Sequence, residues 1–197
     1  MAMPWQDDNH AAWSAALATY PDVVAARVVS RLPELDTWYR DELPGLLAAR
    51  SPVQITHEEL VRVTEWKMKR GAWRARNLVL VRGNDPSEVE RLSREAFALV
   101  PEPRKPVARI AELAGVGPAT ASAVLAAVHP DLYPFFDEDV AVQIPDLGPV
   151  AFTMPYYLRY ATRLRERAAQ LGGDWTAHTV GQALWSVAIG EKQSKTG

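Results

Sequence analysis

An all-α fold is predicted for this 197-residue chain. Three observations predict it. Apolar residues recur at three- and four-residue spacing along most of the chain. Helix start signals stand in front of several of these runs. The one strand-like run, Leu78-Val79-Leu80-Val81, has nothing to pair with and is read as helix.

Taken in order, Trp13, Ala16, Leu17 and Tyr20 form a first stripe, and Val24, Val28 and Val29 begin a second that runs to Leu32, just before Pro33. Residues 35–49 read as a further helix, broken or kinked at Pro44. Thr56 and Glu59 have capping-box spacing ahead of Leu60, Val63 and Trp66, and Gly71 ends that helix. Asp85, Pro86 and Glu88 start another, with Val89, Leu92, Ala96 and Leu99 on its apolar face. Residues 101–106 are proline-rich and form a linker. A long helix is expected from 153 or 154 to 171, stopped by Gly172-Gly173, and Asp174 is placed as the cap of a last helix carrying Ala183, Leu184 and Val187. Residues 191–197 read as a frayed polar tail, and 141–152 as an irregular loop without an assigned role.

Composition bounds the chemistry. The chain has 48% hydrophobic residues, enough for a core, and a net charge of −2. A nucleic-acid binder with that balance must gather its positive charge on one face. Such a gathering exists: residues 60–82 hold Arg62, Lys67, Lys69, Arg70, Arg74, Arg76 and Arg82 against Glu65 alone, with Trp66 and Trp73 interleaved. Basic side chains among aromatics suit a phosphate backbone and a stacked base. A salt-bridged solvent face with both tryptophans in the core is the competing reading. Cysteine is absent, which excludes disulfides and thiolate chemistry. His57-Glu58-Glu59 lacks the second histidine of a zinc-protease helix, since Val61 stands there, and no metal or cofactor is expected. Residues 1–10 include Asp7 and Asp8 and have no apolar core, so no secretory signal is read there, and no run is long enough to span a membrane. A cytoplasmic location, nucleoid-associated if the source is bacterial, is the expectation.

The most informative stretch is Leu113-Ala114-Gly115-Val116-Gly117-Pro118-Ala119-Thr120-Ala121-Ser122, with Phe136-Asp137 downstream. Gly115 and Gly117 can take φ > 0 and let a phosphate approach the backbone. Pro118 suits the first position of a helix carrying Ala121, Val124, Leu125 and Val128, expected to stop at His129. A glycine turn feeding a helix N-terminus offers N–H groups to an anion without reading sequence. An ordinary helix–helix turn is the bland alternative. For Asp137, beside Glu138 and Asp139, that alternative is a helix N-cap.

This string and its spacing resemble the helix-hairpin-helix motif and downstream aspartate of the HhH-GPD superfamily of DNA glycosylases. The resemblance is strong over about 111–140 and loose elsewhere. It implies one HhH-GPD-like domain over 1–197 in two helical lobes, with the hairpin (about 107–128) at the mouth of a cleft and Asp137 inside. It implies double-stranded DNA as partner, a monomer, and backbone contacts from Gly115, Val116, Gly117 and Thr120. Lys67, Lys69, Arg70, Arg74 and Arg76 would add phosphate contacts, and Trp66 and Phe136 would line a base pocket. Asp137 would stabilise the oxocarbenium-like sugar as the extruded base leaves. Bifunctional members carry a lysine where this chain has Ala119, so the implied activity is monofunctional. A non-catalytic DNA-binding module is the second reading, and a helical interaction protein that binds no DNA the third.

Overall fold

In the computed structural model, which describes Trp5 and residues 9–194, every regular element is helical. Asn9 caps α1 (His10–Ala18) by accepting the Ala11 N–H at 3.1 Å. Helix α2 (Tyr20–Ala26) ends earlier than its valines suggest. The chain turns extended at Arg27, which leaves Val28 fully exposed and Val29 half-buried. Leu32 therefore opens the next helix rather than closing the last. Pro33 sits in the first turn of α3 (Leu32–Thr37), where its missing N–H does no harm.

Pro44 was expected to break or kink a helix. Instead the turn before it widens. A π segment (Trp38–Glu42), closed by the Leu43 N–H on the Trp38 carbonyl, leads straight into α4 (Leu43–Ala48) with Pro44 in its first turn. Proline cannot continue the α hydrogen-bond pattern, and the longer π register accommodates that loss.

Helix α5 (His57–Arg70) starts with the expected reciprocal box. Thr56 Oγ1 accepts the Glu59 N–H at 3.3 Å, and the Glu59 carboxylate accepts the Thr56 N–H at 2.9 Å. Helix α6 (Ala75–Arg82) contains the strand-like run. Asp85 caps α7 (Pro86–Ala98), and the linker is shorter than its prolines imply because α8 (Lys105–Ile110) begins inside it. Helix α9 (Pro118–Ala126) stops one turn before His129, followed by α10 (Glu138–Ala141), α11 (Met154–Leu171) and α12 (Ala177–Ser194). Asp174 is exposed and does not cap α12; Thr176 and Thr179 exchange backbone-to-hydroxyl hydrogen bonds there. The expected tail is helical through Ser194, and 195–197, like most of 1–10, lie outside the described residues.

Two helices organise the packing. Helix α12 is contacted by α1, α2, α10 and α11; helix α5 is contacted by α3, α6, α7 and α9, with α8 bridging α7 and α9. One hydrophobic cluster runs through both sets, from Trp13 through Trp66 and Val124 to Trp185.

The hairpin turn is pinned onto α6. Asn84, just past the end of α6, grips the turn with both ends of its amide: Nδ2 donates to the Ala114 carbonyl and Oδ1 accepts the Ala114 N–H, each at 2.9 Å. Gly115 has φ +76°, and a Cβ there would lie 2.6 Å from the Asn77 carbonyl oxygen and 2.8 Å from Leu80 Cβ. Gly117, by contrast, is extended at φ −110° and a Cβ there would meet nothing within 4 Å. Only the first glycine is thus demanded by positive φ. Gly115→Ala should destabilise the protein by about 3 kcal/mol or more in urea unfolding, combining left-handed strain with a backbone clash. Gly45→Ala, in the open middle of α4, should be neutral or stabilising by up to about 1 kcal/mol.

Candidate functional site

The end of α5 delivers a charge into the interior. Leu60, Val63, Trp66 and Arg70 recur at helical spacing on its buried face. Arg70 is only 3% exposed. Its Nε donates to Asp137 Oδ2 at 2.9 Å, its NH1 donates to the Tyr20 hydroxyl, and that same nitrogen lies 4.0 Å from Asp36 Oδ1. The guanidinium carbon stands 4.0 Å from the centroid of the Trp185 ring, close enough for a cation–π contact.

Asp36 is equally committed. Oδ1 accepts the Tyr20 hydroxyl at 2.7 Å and the Trp66 indole N–H at 2.9 Å, while Oδ2 accepts Arg40 Nε at 2.9 Å. Arg40, Asp36, Arg70 and Asp137 therefore alternate in sign, and the buried network is neutral. Tyr20, buried beside these acids, has its hydroxyl pushed well above the ordinary range by desolvation and stays a donor.

Asp137 is held from several sides. Its Oδ1 accepts the Asp139 N–H at 2.9 Å, so it is indeed the N-cap of α10, while Oδ2 takes Arg70. Burial raises its carboxyl above the usual carboxylate range, and the Arg70 guanidinium opposes that rise. The strand of backbone before it is clamped. The Phe136 N–H donates to Ser122 Oγ at 3.0 Å, the Phe135 N–H to His178 Nδ1 at 3.5 Å, and Tyr160 donates to the Phe135 carbonyl at 2.7 Å. Tyr157 and Tyr160 are core residues.

Beside this network opens a cleft of about 930 Å³. Its basic wall is Lys67, Arg70 and Arg74, from the end of α5 and the loop after it. Its acidic wall is Asp137, Glu138 and Asp139. Gly117, Pro118 and Ala119 line it from the hairpin, Phe136 and Phe152 supply rings, and Val28 and Val29 line it as well. Helix α9 has no side-chain cap at Gly117, so its first-turn amides lack a side-chain acceptor.

The sequence-predicted residues divide accordingly. Lys67, Arg70, Arg74, Gly117, Phe136 and Asp137 share the cleft. Trp66 does not line it: the ring is buried, stacked on Tyr39 at 3.7 Å and tied to Asp36, because an indole has both the area and the donor that this core position uses. Arg70 is not a free phosphate ligand, since its guanidinium is spent on Asp137 and Tyr20. Val116 and Thr120 are buried on the core side of the hairpin, which leaves the turn's backbone, not these side chains, to meet a ligand. Gly115 is given over to packing against α6. Lys69 lies over the exposed Trp73 ring at 5.4 Å, and Arg76 is exposed outside the cleft.

Sequence reasoning missed Asp36, Tyr20, Asn84 and the part played by Ser122. A signal for Asp36 existed: it sits one position from Leu35 and one turn from Leu32 and Tyr39, on the apolar face of its helix. Among the described residues no group of three potential metal ligands occurs, and no helix is long and apolar enough to cross a membrane.

Removing Arg70 leaves two carboxylates buried near one remaining guanidinium. Arg70→Met should therefore cost about 3–5 kcal/mol in urea unfolding at neutral pH, and adding Asp137→Asn should recover part of that loss rather than add to it. His178, desolvated against Tyr39, has its pKa lowered from 6.5 to about 4. A depressed histidine is neutral in the fold, so the unfolded chain takes up the proton first as pH falls. Stability should drop between about pH 6.5 and 4 by of order 2–3 kcal/mol, and His178→Gln should flatten that part of the profile.

Comparison with protein-family models, with curated proteins and with solved structures returns no match for this chain.

Proposed function

We propose that this protein is a DNA-binding, glycosylase-like enzyme that releases a damaged or mispaired base by hydrolysis, with Asp137 as the catalytic carboxylate. The observation that carries the reading is the convergence at one cleft of three parts that the sequence keeps far apart. These are the hairpin edge at Gly117, the basic end of α5 with Arg74, and Asp137. A space of about 930 Å³ is of the size that encloses a small-molecule ligand, and an extruded nucleotide fits within it. Its walls come from both the α12-centred and the α5-centred helices, an arrangement consistent with two lobes of an HhH-GPD-like fold.

The chemistry follows from the walls. Lys67, Arg74 and the uncapped start of α9 attract the phosphates that flank an extruded nucleotide. Phe136 and Phe152 offer aromatic faces to its base. As the glycosidic bond breaks, positive charge grows on the sugar, and a carboxylate already fixed by Arg70 and the Asp139 amide stabilises it without having to reorganise. Ala119 offers no amine at the hairpin, so water is the acceptor of the sugar.

A second reading has its own observation. Both Asp137 oxygens are engaged within the protein, which is what a non-catalytic DNA-binding module would also do with an N-cap aspartate. Base release from duplexes carrying alkylated, deaminated and oxidised bases separates the two. Wild type should release base from at least one duplex, and Asp137→Asn should be at least about 100-fold slower while binding the same DNA. Binding without release in both proteins would establish the module. Absence of a steep salt dependence of binding would remove DNA from either reading.

A further inference from the structure

Trp73 is the exposed one among the seven tryptophans of the chain. Trp5, Trp13, Trp38, Trp66 and Trp185 are buried and Trp175 is partly buried, whereas Trp73 keeps 53% of its surface in solvent. The ring belongs to the loop between α5 and α6, and Lys69 Nζ lies 5.4 Å from its centroid. No second ring or cation touches it among the described residues. A large apolar ring left in water is the informative kind of exposure.

The charges around this ring are unanswered as well. Residues 66–84 contain no acid. The side chains of Lys67, Lys69, Arg74 and Arg76 make no ion pair or hydrogen bond with the described residues. Arg91, Arg109 and Arg163, elsewhere on the surface, each pair with a glutamate three residues away. Ala72 and Arg74, the chain neighbours of Trp73, line the cleft, while the indole itself stands outside it.

We propose that Trp73 and the cations beside it bind a single-stranded segment of nucleic acid, with one unstacked base on the indole face. A paired duplex covers both faces of each base with its neighbours, so a single strand is the form that offers a free face to the ring. Stacking of this kind tolerates any base, since every base has a π face. A nucleotide held there carries its phosphate past the Lys69 ammonium, and Arg74 and Arg76 continue the positive track. An acidic peptide would use the charges and leave the ring without a planar partner. The inference goes beyond the proposed function. It requires neither base release nor Asp137, and it concerns a strand outside the cleft rather than a nucleotide within it.

The test is tryptophan fluorescence titrated with an oligothymidylate of about 8 nucleotides. The difference between wild type and Trp73→Leu isolates the emission of Trp73. Wild type should be quenched, and Trp73→Leu should lose that quenching and bind at least about 10-fold more weakly. Trp73→Phe, which keeps a ring, should retain most of the affinity. Lys69→Gln combined with Arg76→Gln should make the log–log salt slope of binding shallower by about 1.4. All of these side chains are exposed, so the variants should keep the wild-type urea midpoint. Equal affinity in Trp73→Leu would overturn the inference. So would equal quenching of Trp73 by a blunt undamaged duplex, by phosphatidylserine vesicles or by a polyglutamate peptide. The two proposals fail separately. Trp73 quenching without base release from any damaged duplex sinks the glycosylase reading and keeps the single-strand site. Base release without Trp73 quenching does the reverse.

Discussion

Arg70 is a charged side chain in a protein interior, and the surroundings of the cleft are organised around satisfying it. An isolated buried guanidinium would be prohibitive. Here it is matched by two carboxylates, one phenol and the face of Trp185, drawn from α2, α3, α12 and the cap of α10. Each partner is in turn bound by something else: Asp36 by Arg40, Tyr20 and Trp66, and Asp137 by the Asp139 amide. A network of this kind adds little net stability over a well-packed apolar core, but breaking it is costly. Its effect is geometric. It fixes the end of α5 against the start of α10, and so fixes the two walls of the cleft against each other.

The hairpin is positioned by a different means, close packing without charge. Gly115 lies against the backbone of α6, Asn84 holds Ala114 by both polar ends, and Tyr39 donates to the Ala123 carbonyl of α9 at 2.7 Å. With the turn anchored on its core side, Gly117 and the uncapped start of α9 remain at the cleft edge. The same α6 that seats the hairpin follows the loop that carries Arg74, so both are built on one helix.

Asp137 joins the two devices. It is a helix cap, an ion-pair partner and a wall of the cleft at once. These descriptions do not compete. In the proposed function the Asp137 carboxylate meets developing positive charge and gains from being held still, and the cap and the guanidinium hold it. Lys67 shows the opposite arrangement, a charge-bearing group left without a partner one helical turn from a residue that has several.

Helix periodicity, the Thr56–Glu59 box, the Asp85 cap and the glycine hairpin were legible in the sequence because each depends on residues close together in the chain. The concentration of positive charge over 60–82 was legible for the same reason, whereas Asp137 was singled out only by the family resemblance. Where local signals misled, a tertiary constraint had decided: Val28 left its stripe when the chain turned at Arg27, and Pro44 was absorbed by a π turn. The division within the basic segment was beyond the sequence. Lys67, Lys69, Arg70, Arg74 and Arg76 look alike in composition, yet one is sealed in an ion network, one rests on Trp73, two face the cleft and one faces solvent. That sorting depends on Asp36 and Asp137, 34 residues before Arg70 and 67 after it, and only the folded packing of α3, α5 and α10 brings those carboxylates to one guanidinium.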